Sequence, residues 1–335
     1  MIGKTLWERP LHQHGSLKTV AVTADRVVVH ERATRLVCLD RRDGSVRWDV
    51  PVGGDLRGIA VAGDRCLVVP YPAARLSCLS LATGAEVWRA PLRSYAGHVV
   101  VSGRTVVAGG WRDYSPVAAF DLPDGRPLWS TPRRVETLRP LPWGDALLLG
   151  SGREAWLIDP RDGRELTRLR LPEPVTKLDL SPAFTRIDAE RCLVRCGPRS
   201  VVCLWPASGR AARFYDHDAD LGYRAPACAG GVVWLGTGDA GYVAVDPDAG
   251  SVRWSANAGR PFAPGVVCDG EGFVLAGQGG VLFRLGPDGR ILDRSWSSAR
   301  RVAGLLDLGA GEMVMATKGT LRLMRTEVGR QPVPS

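Results

Sequence analysis

The stretch Leu39-Asp40-Arg41-Arg42-Asp43-Gly44-Ser45-Val46-Arg47-Trp48 joins an apolar run to an acidic tight turn closed by glycine, with a tryptophan four residues further on. Apolar and β-branched residues up to the turn, Asp within it and a Gly able to take positive φ are the chemistry of a β-hairpin. The pattern returns at Leu79-Ser80-Leu81-Ala82-Thr83-Gly84 with Trp88, at Phe120-Asp121-Leu122-Pro123-Asp124-Gly125 with Trp129, and at Val245-Asp246-Pro247-Asp248-Ala249-Gly250 with Trp254. Weaker copies end at Gly163, Gly209 and Gly289, where Thr167, Arg213 and Asp293 stand in the tryptophan's place. Successive turn glycines lie 40, 41, 38, 46, 41 and 39 residues apart. A period of that length belongs to repeat architectures.

Upstream of each hairpin lie two more short strands, seen in the first copy as Thr19-Val20-Ala21-Val22 and Val27-Val28-Val29 before Leu36-Val37-Cys38-Leu39. Four strands in some forty residues make one propeller blade. The last repeat, Val302 to Leu308, Glu312 to Ala316 and Thr320 to Met324, has three strands and no turn-plus-Trp strand after them. Thr5-Leu6-Trp7-Glu8-Arg9-Pro10 matches the missing strand, as comparison with Val46-Arg47-Trp48-Asp49-Val50-Pro51 shows. The expectation is therefore an all-β, eight-bladed β-propeller of four-stranded antiparallel blades. Residues 5–10 supply the outer strand of the last blade, so that no sheet edge is left unpaired at the seam. Seven blades is the alternative, if blade 5 or the final strands are irregular. One domain over residues 1–326 is predicted, followed by a short polar tail, 327–335, expected to be loose.

The motif Asp-x-x-x-Gly-x-x-x-Trp, repeated at this period from about residue 5 to 326, resembles the PQQ-like (quinoprotein-type) β-propeller repeat. That family includes quinone-dependent dehydrogenases and non-enzymatic scaffold propellers of the outer-membrane assembly type, so the resemblance implies a fold and leaves function open. Its dehydrogenases carry adjacent paired cysteines, acidic and Asn calcium ligands, a catalytic Asp and a longer chain. Here no two cysteines are adjacent and the only asparagine is Asn257. The expectation is no cofactor, and no quinone-dependent dehydrogenase activity. The first residues, Met1-Ile2-Gly3-Lys4-Thr5-Leu6-Trp7-Glu8-Arg9, lack the apolar core of a secretory signal, and no run is long enough to span a membrane. A non-secreted, cytoplasmic bacterial member is the simplest reading.

Eight cysteines agree with it. Cys38, Cys78 and Cys203 each stand six residues before a turn glycine, where other copies have Ala119, Leu157, Ala244 or Phe283, which is the behaviour of a small core residue. Cys192 and Cys196, on a strand, would lie about 13 Å apart, too far to pair or to share a metal.

The net charge is +9, and since lysine occurs only at positions 4, 18, 177 and 318, nearly all of the basic residues are arginine. Basic patches interleaved with aromatics along one strand face are not evident, so neither nucleic acid nor a membrane is an expected partner. In such a blade the innermost strand comes first, so the loop leading into it and the loop between strands two and three share one face, around the mouth of the channel. Those loops carry more bases than acids, which include Glu31, Asp55, Glu154 and Glu173. A funnel of that sign favours an anionic ligand or an acidic segment. The candidate binding residues are Lys18, Arg57, Arg75, His98, Trp111, Arg112, Tyr114, Lys177, Arg224 and Arg301, with Tyr71, Tyr95 and Tyr223 as further exposed aromatics.

Two constellations fall short of a metal site. Asp216-His217-Asp218-Ala219-Asp220-Leu221-Gly222 alternates carboxylates like a calcium loop, but its glycine comes one place late and Ala227 stands where a bidentate Glu is needed. His12-Gln13-His14 offers two imidazoles and no third ligand. No nucleophile elbow, P-loop or dinucleotide fingerprint occurs. Two functions remain. One is a binding or scaffold propeller for a protein partner or acidic peptide. The other is a pathway enzyme acting on an anionic small molecule, with His98, Asp113, Glu136, Glu173 and His217 as acid or base candidates.

Overall fold

The computed structural model describes residues 2–11, 20–31, 34–110, 116–132, 137–176, 183–222, 225–238, 241–256, 266–297, 302–317 and 319–326. They form eight four-stranded antiparallel sheets, the blades of an eight-bladed β-propeller. Blades 1 to 7 span residues 20–51, 55–91, 99–130, 141–170, 184–216, 227–256 and 267–296. Blade 8 takes three strands from residues 302–325 and its fourth from Lys4–Pro10, as the sequence predicts. Blade 5 is a regular four-stranded sheet, so the seven-bladed alternative falls. Among the described residues the helical segments are two short 3-10 turns, Pro206–Ser208 and Gln278–Gly280. The chain divides into two compact units, residues 18–40 with 45–218, and residues 1–17 with 41–44 and 219–335.

The apolar runs explain which strands lie inside. In blade 1, Val27-Val28-Val29 and Leu36-Val37-Cys38-Leu39 are fully buried, as continuous apolar strands must be when both faces are covered. The outer strand Val46–Pro51 alternates instead and sinks Trp48 while its neighbours stay exposed. A one-residue slip in register accompanies the turn in blades 1, 2, 3, 4, 6 and 7, between Cys38/Leu39, Cys78/Leu79, Ala119/Phe120, Leu157/Ile158, Ala244/Val245 and Arg284/Leu285. Such a bulge re-aims the side chains that follow it.

Each aimed tryptophan lands on the turn glycine of the next blade. A Cβ on Gly84 would meet the Trp48 ring at 2.8 Å, one on Gly125 the Trp88 ring at 2.4 Å, one on Gly163 the Trp129 ring at 2.8 Å and one on Gly289 the Trp254 ring at 2.4 Å. The indole N–H donates to a turn carbonyl, Trp48 to Leu81, Trp88 to Leu122 and Trp129 to Pro160, each at 2.8 Å, and Trp254 to Pro287 at 3.0 Å. Trp7 repeats the contact for blade 8, over Gly44 and onto the Arg41 carbonyl at 2.8 Å. These four tryptophans thus join blades, and Trp7 belongs with them. Where Thr167 replaces the indole, a Cβ on Gly209 would meet its methyl at 3.0 Å and the Arg168 carbonyl oxygen at 3.6 Å.

The turn aspartates consume part of the arginine. Arg104 pairs with Asp121 at 2.7 Å, Arg161 with Asp159 at 2.6 Å, Arg253 with Asp246 at 2.7 Å, and Arg47 with Asp40. The Arg161 guanidinium and its backbone N–H pull the Asp159 carboxyl down to about 2. These pairs lie on the turn edge of the blades, opposite the loops of the candidate face.

Candidate functional site

In blade 2 the loop between strands two and three runs from Tyr71 to Arg75, beside the start of the first strand at Asp55. Gly54, at φ 122°, makes the close approach possible, since a Cβ there would stand 2.2 Å from the Tyr71 carbonyl oxygen. Arg57 lies with its guanidinium 4.6 Å above the centre of the Tyr71 ring. The Tyr71 ring is in turn 5.1 Å from that of Tyr95, on the loop leading into blade 3, and Tyr95 is 36% exposed. Cation, aromatic and aromatic form one ledge at the loop edge of blades 2 and 3, a combination that binds through planar faces with little loss of side-chain freedom. Arg75 is half-buried on the same loop and has no acidic partner among the described residues. Among the described residues elsewhere on this edge, two further arginines are paired internally. Arg35 pairs with Asp49 at 2.6 Å, and Arg213 with Asp216 at 2.8 Å and Glu173 at 3.1 Å.

Of the ten candidate binding residues, Arg57 and Arg75 thus stand on one loop edge of blade 2. Lys18, Trp111, Arg112, Tyr114, Lys177, Arg224 and Arg301 lie outside the described residues, as do His12, His14, Asp113, Glu136 and Tyr223. His98 is placed differently from an exposed contact. It is 7% exposed, its Cα lies 3.3 Å from where a Cβ on Gly58 would be, and its Nε2 is buried with no hydrogen-bond partner. Burial, and then the positive charge of Arg139, lower its pKa to about 3. A ring whose pKa is lowered so far is neutral at ordinary pH.

This has a measurable consequence for stability. The folded-state pKa lies below the unfolded value, so the proton favours the unfolded chain, and the contribution is complete above about pH 6.5 and lost as the pH falls below it. The slope approaches about 1.4 kcal/mol per pH unit. From pH 6.5 to 5 the denaturant midpoint should fall by the equivalent of about 2 kcal/mol. The His98→Gln variant should lose that part of the slope; an unchanged slope would refute the assignment.

Arg139 is a residue that sequence reading missed. It precedes Pro140 and so is held extended. Its segment is pinned by Thr137 N–H to the Gly110 carbonyl and Leu138 N–H to the Gly150 carbonyl, both at 2.8 Å. The Arg-Pro-Leu-Pro sequence signals an extended approach to the first strand of blade 4, but nothing in it says that the guanidinium is carried inward.

The other constellations are internally satisfied. Asp216 accepts from Ser200 Oγ at 2.6 Å, and His217 Nδ1 shares a hydrogen bond with the Tyr215 hydroxyl at 2.8 Å, so the would-be calcium loop spends its first two groups on blade 5. Cys192 and Cys196 sit on one strand, both buried, and burial pushes the Cys196 thiol up to about 12. All eight cysteines are free. Among the described residues no three His, Cys, Asp or Glu side chains gather as metal ligands. The Arg and Tyr groups of the ledge do not fit a quinone with its calcium, which needs carboxylate ligands, and no chemistry is derived through that pair.

The chain resembles solved propellers over nearly its whole length. The crystal structure of BamB from Moraxella catarrhalis superposes with a TM-score of 0.81 at 15% identity, covering 99% of this chain and all of the other. The computationally designed Ika8 protein gives 0.74 at 14% identity over 96% of this chain, and Sqt1 of Saccharomyces cerevisiae 0.77 at 10% over 97%, each covered completely. At such identities the likeness is one of fold. No curated protein sequence matches the chain. The family described as outer membrane protein assembly factor BamB, with PQQ-like repeats, matches residues 2–74, 50–216 and 157–330. With nearly every blade inside those matches, the chain belongs to this BamB-like family of PQQ-like repeat propellers.

Proposed function

We propose that this protein is a binding or scaffold propeller whose loop edge at blades 2 and 3 receives an acidic segment of a protein partner. The observation that carries the reading is the Arg57–Tyr71–Tyr95 ledge, with Arg75 alongside it. The exposed Tyr95 beside a half-buried Tyr71 that carries the Arg57 guanidinium offers a rigid apolar surface and charge together, the composition of interface anchors. Membership of a family described by an assembly factor supports a role in holding proteins together. Eight free cysteines suit a reducing compartment, and we place the protein in the cytoplasm on that ground. No helix among the described residues is long and apolar enough to cross a membrane.

Charge reversal tests the reading. The Arg57→Glu/Arg75→Glu variant, at native melting temperature, should lose partners that co-purify with the wild-type protein from its native host, by about tenfold or more in quantitative mass spectrometry, since losing a charged contact costs at least about 1.4 kcal/mol. Tyr95→Ala should weaken the same set. Undiminished co-purification in both variants would overturn it, and partners recovered only from a secreted or periplasmic fraction would overturn the location.

A further inference from the structure

The first strands of blades 2 to 5 border a cavity of about 280 Å3. Ala60 and Val61 line it from blade 2, Val99 and Val101 from blade 3, and Phe184 from blade 5. Arg139 is the one charged side chain among its described lining residues. No acidic group among the described residues pairs with that guanidinium, and burial alone lowers its pKa. A cation brought into an apolar cavity without a counter-charge costs folding free energy, and Arg is the side chain whose planar fork holds a carboxylate through two parallel hydrogen bonds.

His98 precedes the lining residue Val99 and can report on the site: its Nε2 is buried with no hydrogen-bond partner among the described residues, and the Arg139 charge acts on its ring. We infer that this cavity is a binding site for a small monocarboxylate, its carboxylate held by Arg139 and its apolar body against Val99, Val101 and Phe184. A cavity of about 280 Å3 has room for a body the size of benzoate. The site shares no lining residue with the Arg57–Tyr71–Tyr95 ledge and does not depend on the partner reading.

Benzoate, benzyl alcohol and inorganic phosphate titrated into the full chain test it, by calorimetry and by the His98 ring resonances, assigned from their loss in His98→Gln. Saturable benzoate binding that shifts the His98 resonances is expected, with benzyl alcohol and phosphate each at least about tenfold weaker, the equivalent of one lost charged hydrogen bond. Arg139→Gln should weaken benzoate by a similar factor, and Arg139→Lys, which keeps the charge but not the fork, should fall between. Absence of saturable benzoate binding overturns the inference, as does wild-type affinity in a folded Arg139→Gln or Arg139→Lys protein. Equal binding of benzyl alcohol removes the carboxylate, and tighter binding of phosphate removes the apolar body.

Discussion

Deleting residues 2–10 is expected to leave the chain without a stable fold. The strand Lys4–Pro10 pairs with Thr320–Arg325 along its length, from Lys4 opposite Arg325 to Pro10 opposite Thr320. It also brings Trp7 onto Gly44 with its N–H on the Arg41 carbonyl, and Glu8 onto Arg322 at 2.8 Å. Ile2, 1% exposed, packs among Val267, Val274, Leu305, Met313 and Met324. Losing a buried Trp costs about 3–5 kcal/mol and a buried Ile about 2–5 kcal/mol, before the strand ladder is counted. The sum is of the order of the whole stability of a domain, about 5–15 kcal/mol. It also leaves Thr320–Arg325 as an open edge, a template for aggregation. The truncated chain should therefore be recovered in the insoluble fraction, or melt with no cooperative transition. A permuted chain that begins at residue 12 and carries residues 2–11 after Thr326, through a short Gly-containing loop, should fold, because Lys4 already lies opposite Arg325 and the graft is an ordinary hairpin. Wild-type melting of the truncated chain would show that the N-terminal strand is dispensable.

The second large effect lies where Trp88 covers Gly125. Gly125→Ala forces a Cβ to 2.4 Å from the Trp88 ring at a φ of 72°. The left-handed backbone alone costs an alanine about 1–2 kcal/mol, and displacing the indole forfeits much of the burial that Trp88→Ala removes outright, about 3–5 kcal/mol. The two losses overlap. In a Trp88→Ala background, Gly125→Ala should cost only the backbone part, so the double-mutant cycle in denaturant should show a coupling of about 1–3 kcal/mol. Gly209→Ala is the internal control. It has φ 70° but faces the small Thr167 methyl, so it should cost about the backbone part alone. Additive costs for Trp88 and Gly125, or an equal loss at Gly209 and Gly125, would break the account.

The blade count was legible because a forty-residue period needs no knowledge of contacts. Gly44, Gly84 and Gly125 announce hairpins by local backbone chemistry, and Lys4–Pro10 announces itself as a missing copy by likeness to Val46–Pro51. The candidate site was legible only in part. Arg57, Arg75, Tyr71 and Tyr95 could be placed on one loop edge from strand order, yet that Arg57 stacks on Tyr71 depends on distances across the sheet. His98 reads as an exposed loop histidine until the close approach at Gly58 buries it. Arg139 carries no local signal, because its environment is made by the strands of three other blades.

By itself the sequence determined what repeats: the strands, the turns, the eight blades and the strand that completes the last, since each is dictated by residues near one another along the chain. Only the tertiary structure decided what each copy does with its differences. It set the indole of one blade on the glycine of the next, brought Arg57 over Tyr71, sank His98, and left Arg139 facing an apolar cavity without an acid among the described residues. Burial and pairing are properties of neighbours distant in sequence, and no local pattern encodes them.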